Sequence, residues 1–224
     1  MFLPFLLLLC GLVRSDVVRM NCHPEPGATK EKCEDRDCIW DPQSTPAGVP
    51  PCYLRSGMGY RLDSTTGDTF TLIKNDGPRN PWANETHTIF LSKRYYGKAL
   101  NVKIFTPGRY EPPIDLPRGV SESFEELEFA TQTVNGTFVF TVTRQSTRTR
   151  LFDTSIGGLI FCDKFLQIAT TLPSDAMYGW GENVHPTLKH NFNRYTTWAM
   201  HARDEPPSSD GLQTKNLYGE TMYY

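Results

Sequence analysis

Four cysteines, Cys22, Cys33, Cys38 and Cys52, stand close together near the start of the chain, with Trp40 after the third and Pro50-Pro51 before the fourth. Such density in a short stretch reads as a small module stapled by disulfides, the device of domains too small to build a sufficient apolar core. Four cysteines allow three connectivities, and spacing alone leaves all of them open. Disulfides persist in oxidising compartments, so the cluster points to the secretory pathway before any fold is argued. The long remainder holds one more cysteine, Cys162.

Residues Phe2 to Val13 are almost uninterruptedly apolar. The run falls short of the roughly 20 apolar residues that span a bilayer. Val13-Arg14-Ser15 supplies small residues at the −3 and −1 positions of a signal-peptidase site, although no Lys or Arg precedes the apolar run. A signal peptide over residues 1–15 is expected, and its cleavage removes Cys10 from the disulfide count. Asn84-Glu85-Thr86 and Asn135-Gly136-Thr137 match N-x-[ST], which makes Asn84 and Asn135 expected N-glycosylation sites in the same compartment. With 21% charged residues and a net charge of −2, nothing steers the chain to nucleic acid or to an anionic membrane. The histidines and cysteines show no zinc spacing, so neither a metal nor an organic cofactor is expected.

After the cysteines the pattern turns to alternation. Residues 68–74, 88–92, 100–105 and 137–143 are rich in β-branched and aromatic side chains at a period near two, the mark of half-buried strands. Asn75-Asp76-Gly77-Pro78, Thr106-Pro107-Gly108, Glu111-Pro112-Pro113 and Asn135-Gly136 supply turns between them. Residues 159–162 and 165–170, split by Asp163-Lys164, read as a hairpin that buries Cys162 as an inert core thiol. No segment past the leader carries a long helical period. These signals predict an antiparallel β-sandwich. From Tyr178 onward the chain becomes dense in amides and polar aromatics, among them Asn183, His190, Tyr195 and Trp198. Flat aromatic faces with a polar handle suit a sugar-binding surface; they suit aromatics packed on a sheet equally well. Glu182 and His185 read as structural, holding the turn after Tyr178.

The front module resembles a P-type (trefoil) domain in Arg19-Met20-Asn21-Cys22, in the spacing on to Cys33 and Cys38, in Trp40, and in Val49-Pro50-Pro51-Cys52-Tyr53. A full trefoil domain has six cysteines, paired first to fifth, second to fourth and third to sixth. Here the first is absent upstream of Arg19 and Ile39 stands at the fifth, so both missing cysteines belong to one bridge. The resemblance implies the pairs Cys22–Cys38 and Cys33–Cys52.

The remainder resembles the N-terminal β-sandwich of glycoside hydrolase family 31, in its α-glucosidase group. The matching words are Leu151-Phe152-Asp153-Thr154-Ser155-Ile156-Gly157, Leu172-Pro173-Ser174-Asp175, Tyr178-Gly179-Trp180-Gly181-Glu182-Asn183-Val184-His185, Arg203-Asp204 and Asn216-Leu217-Tyr218-Gly219. The resemblance implies a mainly β chain: a trefoil module at residues 16–54, then a galactose-mutarotase-like sandwich over 55–224, incomplete where the sequence stops. It also implies retaining hydrolysis of α-glucosidic bonds by two carboxylates. In the family these lie on a (β/α)₈ barrel after the sandwich, and the Trp-Ile-Asp-Met-Asn type of word that carries the nucleophile occurs nowhere here. No catalytic residue is therefore expected within this stretch, which is expected to be inactive alone. The implied partners are α-glucoside oligosaccharides and the family's catalytic barrel.

Arg203 and Asp204, with Tyr218 nearby, match a sandwich loop that reaches over the barrel mouth. The aspartate would accept hydrogen bonds from sugar hydroxyls, and the arginine would orient it or bind another hydroxyl. Glu205-Pro206-Pro207 replaces the small hydroxyl residues that relatives often carry next to that site. A second reading fits the same residues: a free-standing secreted protein that binds carbohydrate or mucin without cleaving it. Either reading places the chain in the secretory pathway, extracellular or lumenal, with lysosome and cell surface both open.

Overall fold

Thr29 starts the one helix found among the described residues. Its backbone is extended (φ −126°, ψ 167°) and its side-chain hydroxyl accepts from the Lys32 N–H, an N-cap that opens helix α1 (Lys30–Asp35). Glu31 in the first turn complements the helix dipole. The helix ends after one and a half turns, where Asp37 takes a positive φ of 63° and redirects the chain. The computed structural model describes residues 18–43, 49–75, 77–79, 84–111, 113, 127–179, 187–192 and 222–223.

Two short strands complete the cysteine module. β1 (Ile39–Trp40) and β2 (Cys52–Tyr53) pair antiparallel, Ile39 opposite Tyr53 and Trp40 opposite Cys52. The incoming chain joins them, with Cys22 N–H donating to Cys52 O and Leu54 N–H to Met20 O. Cys22 is bonded to Cys38 and Cys33 to Cys52. All four cysteines are buried, so the bridges themselves form the module's interior.

The larger unit has two antiparallel sheets. The first is a four-stranded meander of β3 (Tyr60–Thr66), β4 (Thr69–Lys74), β5 (Thr88–Tyr96) and β6 (Ala99–Phe105). The second has three strands, β7 (Leu127–Val134), β8 (Thr137–Arg144) and β9 (Thr149–Asp153). Alternation places Phe70 and Leu72 of β4, Ile89 and Leu91 of β5, and Phe138, Phe140 and Val142 of β8 in one buried cluster. The Phe70 ring lies 5.6 Å from that of Phe138 and 5.9 Å from that of Phe129, contacts that cross from one sheet to the other. The sheets face each other as a sandwich.

Two short pairs follow from the later sequence. β10 (Ile160–Phe161) and β11 (Leu166–Gln167) form the expected hairpin, with Cys162 fully buried beside it. β12 (Tyr178–Gly179) pairs with β13 (Met222–Tyr223). The Tyr60 hydroxyl, 2.6 Å from Thr86 O and 3.3 Å from Phe161 O, ties the start of β3 to the β10 hairpin. Burial pushes its ionisation well above the ordinary tyrosine value.

Candidate functional site

Module and sandwich share an apolar contact. Cys22, Cys33, Cys38, Cys52, Leu54 and Met58 cluster with Ile160 and Cys162, with Met20, Trp40 and Phe165 packed around them. Gly158 is a point of close approach between the two units. Its φ of 75° is one that glycine adopts freely, and a Cβ there would lie 2.7 Å from Met20 Cε and 2.8 Å from Leu54 Cδ1. A backbone bond from Arg79 N–H to Arg36 O adds a polar tie from beyond the module.

Arg36 is the module's internal polar anchor. It is buried, donates to Cys22 O at 3.0 Å and pairs through its guanidinium with the Glu25 carboxylate. Burial would raise the Glu25 carboxyl, but the hydrogen bond from Arg36, the local backbone amide and the charges of Arg36 and His23 hold it below its ordinary 4.5. A carboxyl lowered on folding contributes stability at pH values above its unfolded pKa. That contribution disappears as pH falls through the lower folded value. The melting temperature of the module is therefore expected to be flat near neutrality and to fall below about pH 4.5. Glu25→Gln is expected to lower the melt at pH 7 and flatten the module's acid limb, read by near-UV circular dichroism across pH. Asp153 in the sandwich is also lowered: burial opposes, but Ser155 hydrogen bonds and the Arg150 charge prevail. The acid limb of the sandwich is expected to survive the Glu25 substitution.

Between the units lies a cleft of about 320 Å³, bordered by Arg19, Tyr53, Arg55, Asn135, Thr137 and Ser155. Arg19 lies on its module wall. Its guanidinium donates to Asp41 Oδ2 at 2.6 Å and Asp41 O at 2.7 Å, and its Cζ sits 4.2 Å from the centre of the Tyr53 ring. Arg19 Nε and Thr137 Oγ1 are buried at the cleft's edge with no hydrogen-bond partner in the protein. A buried polar atom left so is costly, which marks this border as chemically unfinished. No single sequence signal announces the cleft, because its walls come from residues 18–20, 39, 53–58, 134, 135, 137 and 155–158.

The residues expected to contact sugar, Arg203, Asp204 and Tyr218, lie outside the described residues, as do Glu182 and His185. What the structure gives is the frame around them. The chain leaves at Gly179 and returns at Met222, and these two residues are partners in the β12–β13 pair. The excursion that contains all three candidates is thus closed at its base. Nearby, His190 is buried and its Nε2 lies 2.7 Å from Gly179 O. Asn84 and Asn135 are both exposed. Thr137, the third residue of the second tripeptide, is only 3% exposed. Among the described residues no group of three or more His, Cys, Asp or Glu side chains is arranged to hold a metal ion.

The trefoil (P-type) domain family matches residues 10–55. Probable maltase-glucoamylase 2 of Homo sapiens is 36% identical over 94% of this chain, which covers 9% of that protein. Sucrase-isomaltase of Oryctolagus cuniculus is 32% identical over 92% of the chain, covering 12% of the relative. Lysosomal alpha-glucosidase of Mus musculus is 32% identical over 92% of the chain, covering 22% of it. The chain thus spans between about a tenth and about a fifth of the length of the curated relatives it matches. A module closed by buried disulfides and joined to an antiparallel sandwich fits these matches: residues 10–55 match the P-type trefoil domain, and the chain is similar along more than nine tenths of its length to part of the maltase-glucoamylase, sucrase-isomaltase and lysosomal alpha-glucosidase group.

Proposed function

We propose that these residues form the non-catalytic leading portion of a secretory-pathway α-glucosidase that hydrolyses terminal α-glucosidic bonds of malto-oligosaccharides with retention. The observation that carries this reading is similarity along 92–94% of the chain to three differently named relatives, each of which extends far beyond the matched stretch. In this reading residues 1–15 are a cleaved leader, 16–54 the trefoil module and 55–224 the sandwich. Asn84 and Asn135 carry N-linked glycans. The catalytic carboxylates belong to a barrel outside these residues, and Arg203, Asp204 and Tyr218 contribute hydroxyl contacts at its mouth.

Two measurements test the proposal. An antibody raised against residues 55–224 should detect, in source tissue, a product several times larger than 25.5 kDa. A single band near that mass would favour a barrel-less protein that binds carbohydrate or mucin. In the larger enzyme, Asp204→Asn is expected to raise KM for maltose by roughly ten-fold or more, the loss of a charged hydrogen bond worth about 1.5–3 kcal/mol. An unchanged KM would remove Asp204 from the pocket. Residues 16–224 alone are expected to leave maltose intact.

A further inference from the structure

We propose that the cleft between the trefoil module and the sandwich holds the first sugar of a glycan carried by Asn135, making that glycan a strut between the two units. The proposal rests on the glycosylation reading above and adds where the sugar goes. Asn135 is exposed, stands at the tip of the β7–β8 hairpin and is itself part of the cleft's border. The attachment point is held firmly. Asn135 and Gly136 have φ of 51° and 77°, the paired positive values of a two-residue type I′ turn that fixes the direction of both flanking strands. The tip also packs on the linker between the units, with Asn135 O 3.3 Å from the position a Cβ on Gly57 would take. Asn75 Nδ2 donates to Gly57 O at 2.9 Å and braces the same linker.

Size and chemistry agree with a sugar. A volume of about 320 Å³ falls at the small end of ligand sites, which lie preferentially at domain interfaces. Ser56 and Ser155 bring hydroxyls to the cleft's border beside Arg19 and Arg55, whose guanidinium groups are paired with Asp41 and Asp37, and no carboxylate side chain lies among its lining residues. An N-acetylglucosamine offers carbonyl and hydroxyl oxygens to such donors, and its methyl and ring C–H groups fit the apolar part of the wall formed by Met20 and Ile156. Thr137 adds a constraint on timing. Its hydroxyl, which the sequon requires, is sealed in the folded protein, so the sugar is attached before the hairpin docks and the cleft closes around it.

The test uses the whole protein secreted from a glycosylating host. Peptide mapping establishes occupancy at Asn84 and Asn135, and peptide-N-glycosidase F is then applied to the native protein. Release from Asn135 is expected to be several-fold slower than from exposed Asn84, and the difference should vanish after denaturation. Asn135→Asp, which removes the sequon but keeps a residue that the type I′ turn accepts, is expected to lower the melting temperature by several degrees while Asn84→Asp leaves it unchanged. Unmodified Asn135 would overturn both the strut and the glycosylation reading. Modified Asn135 that is released as fast as Asn84, with equal melts for the two variants, would overturn the strut alone.

Discussion

Replacing Cys33 and Cys52 together by alanine is expected to cost about 2–5 kcal/mol and to leave the trefoil module unfolded at 37 °C. The size of the effect follows from how little else holds it. Helix α1 has six residues, too few to persist alone, and β1 and β2 contribute two residues each. The two bridges close loops of sequence separation 16 and 19, worth about 3 kcal/mol each in the chain-entropy model. Cys33 and Cys52 are also 0% and 1% exposed, so their loss removes core volume as well as a cross-link. Near-UV circular dichroism and limited proteolysis of the double variant check this. A melt within about 1 kcal/mol of wild type would show that the apolar contact with Ile160 and Cys162 holds the module without that bridge.

The strands with a sustained apolar alternation were legible in the sequence, and β3, β7 and β9, which lack one, were missed. β4, β5 and β8 alternate Phe70 with Leu72, Ile89 with Leu91, and Phe138 with Phe140, so their period reports the face they bury. β3 exposes every residue after Tyr60, and β7 exposes Glu128 and the run Ala130 to Thr133. Tyr60 of β3 and Leu127 and Phe129 of β7 reach the core, but neither strand sustains an apolar alternation along its length. Each becomes a strand because a tight turn returns it against a strongly patterned neighbour, β3 to β4 and β7 to β8. Helix α1 is too short to display a period, and only its Thr29 cap marks it. The cleft and the Gly158 contact were not legible at all. They join Met20 to residues far along the chain, and no local pattern encodes such a meeting. The sugar-contact candidates differ in kind: Arg203, Asp204 and Tyr218 rest on resemblance, and the structure describes only the β12–β13 base of their excursion.

Phe140→Ala should bring the second large loss, about 3–5 kcal/mol, the cost of removing a buried phenyl from a packed core. Phe140 is 5% exposed, and its ring stacks 5.2 Å from Phe129 and 5.6 Å from Phe152. It therefore joins all three strands of the second sheet, and Phe129 passes the contact on to Phe70 of the first. A cavity at its place is lined by rings that cannot collapse inward without leaving that inter-sheet contact. Phe105→Ala is the matched comparison. Its ring lies 5.6 Å from that of Phe90 in a tilted pair, but Phe105 is only half-buried and lies outside this cluster, so the loss should be clearly smaller. Urea unfolding of both variants separates the cases, with Phe140→Ala lowering the midpoint further while the slope stays unchanged. Equal losses would mean that the Phe129–Phe140–Phe152 stack does not set the sandwich's stability. The hairpin tip at Asn135 would then depend for its position on its own turn and on the linker at Gly57, not on the core beneath it.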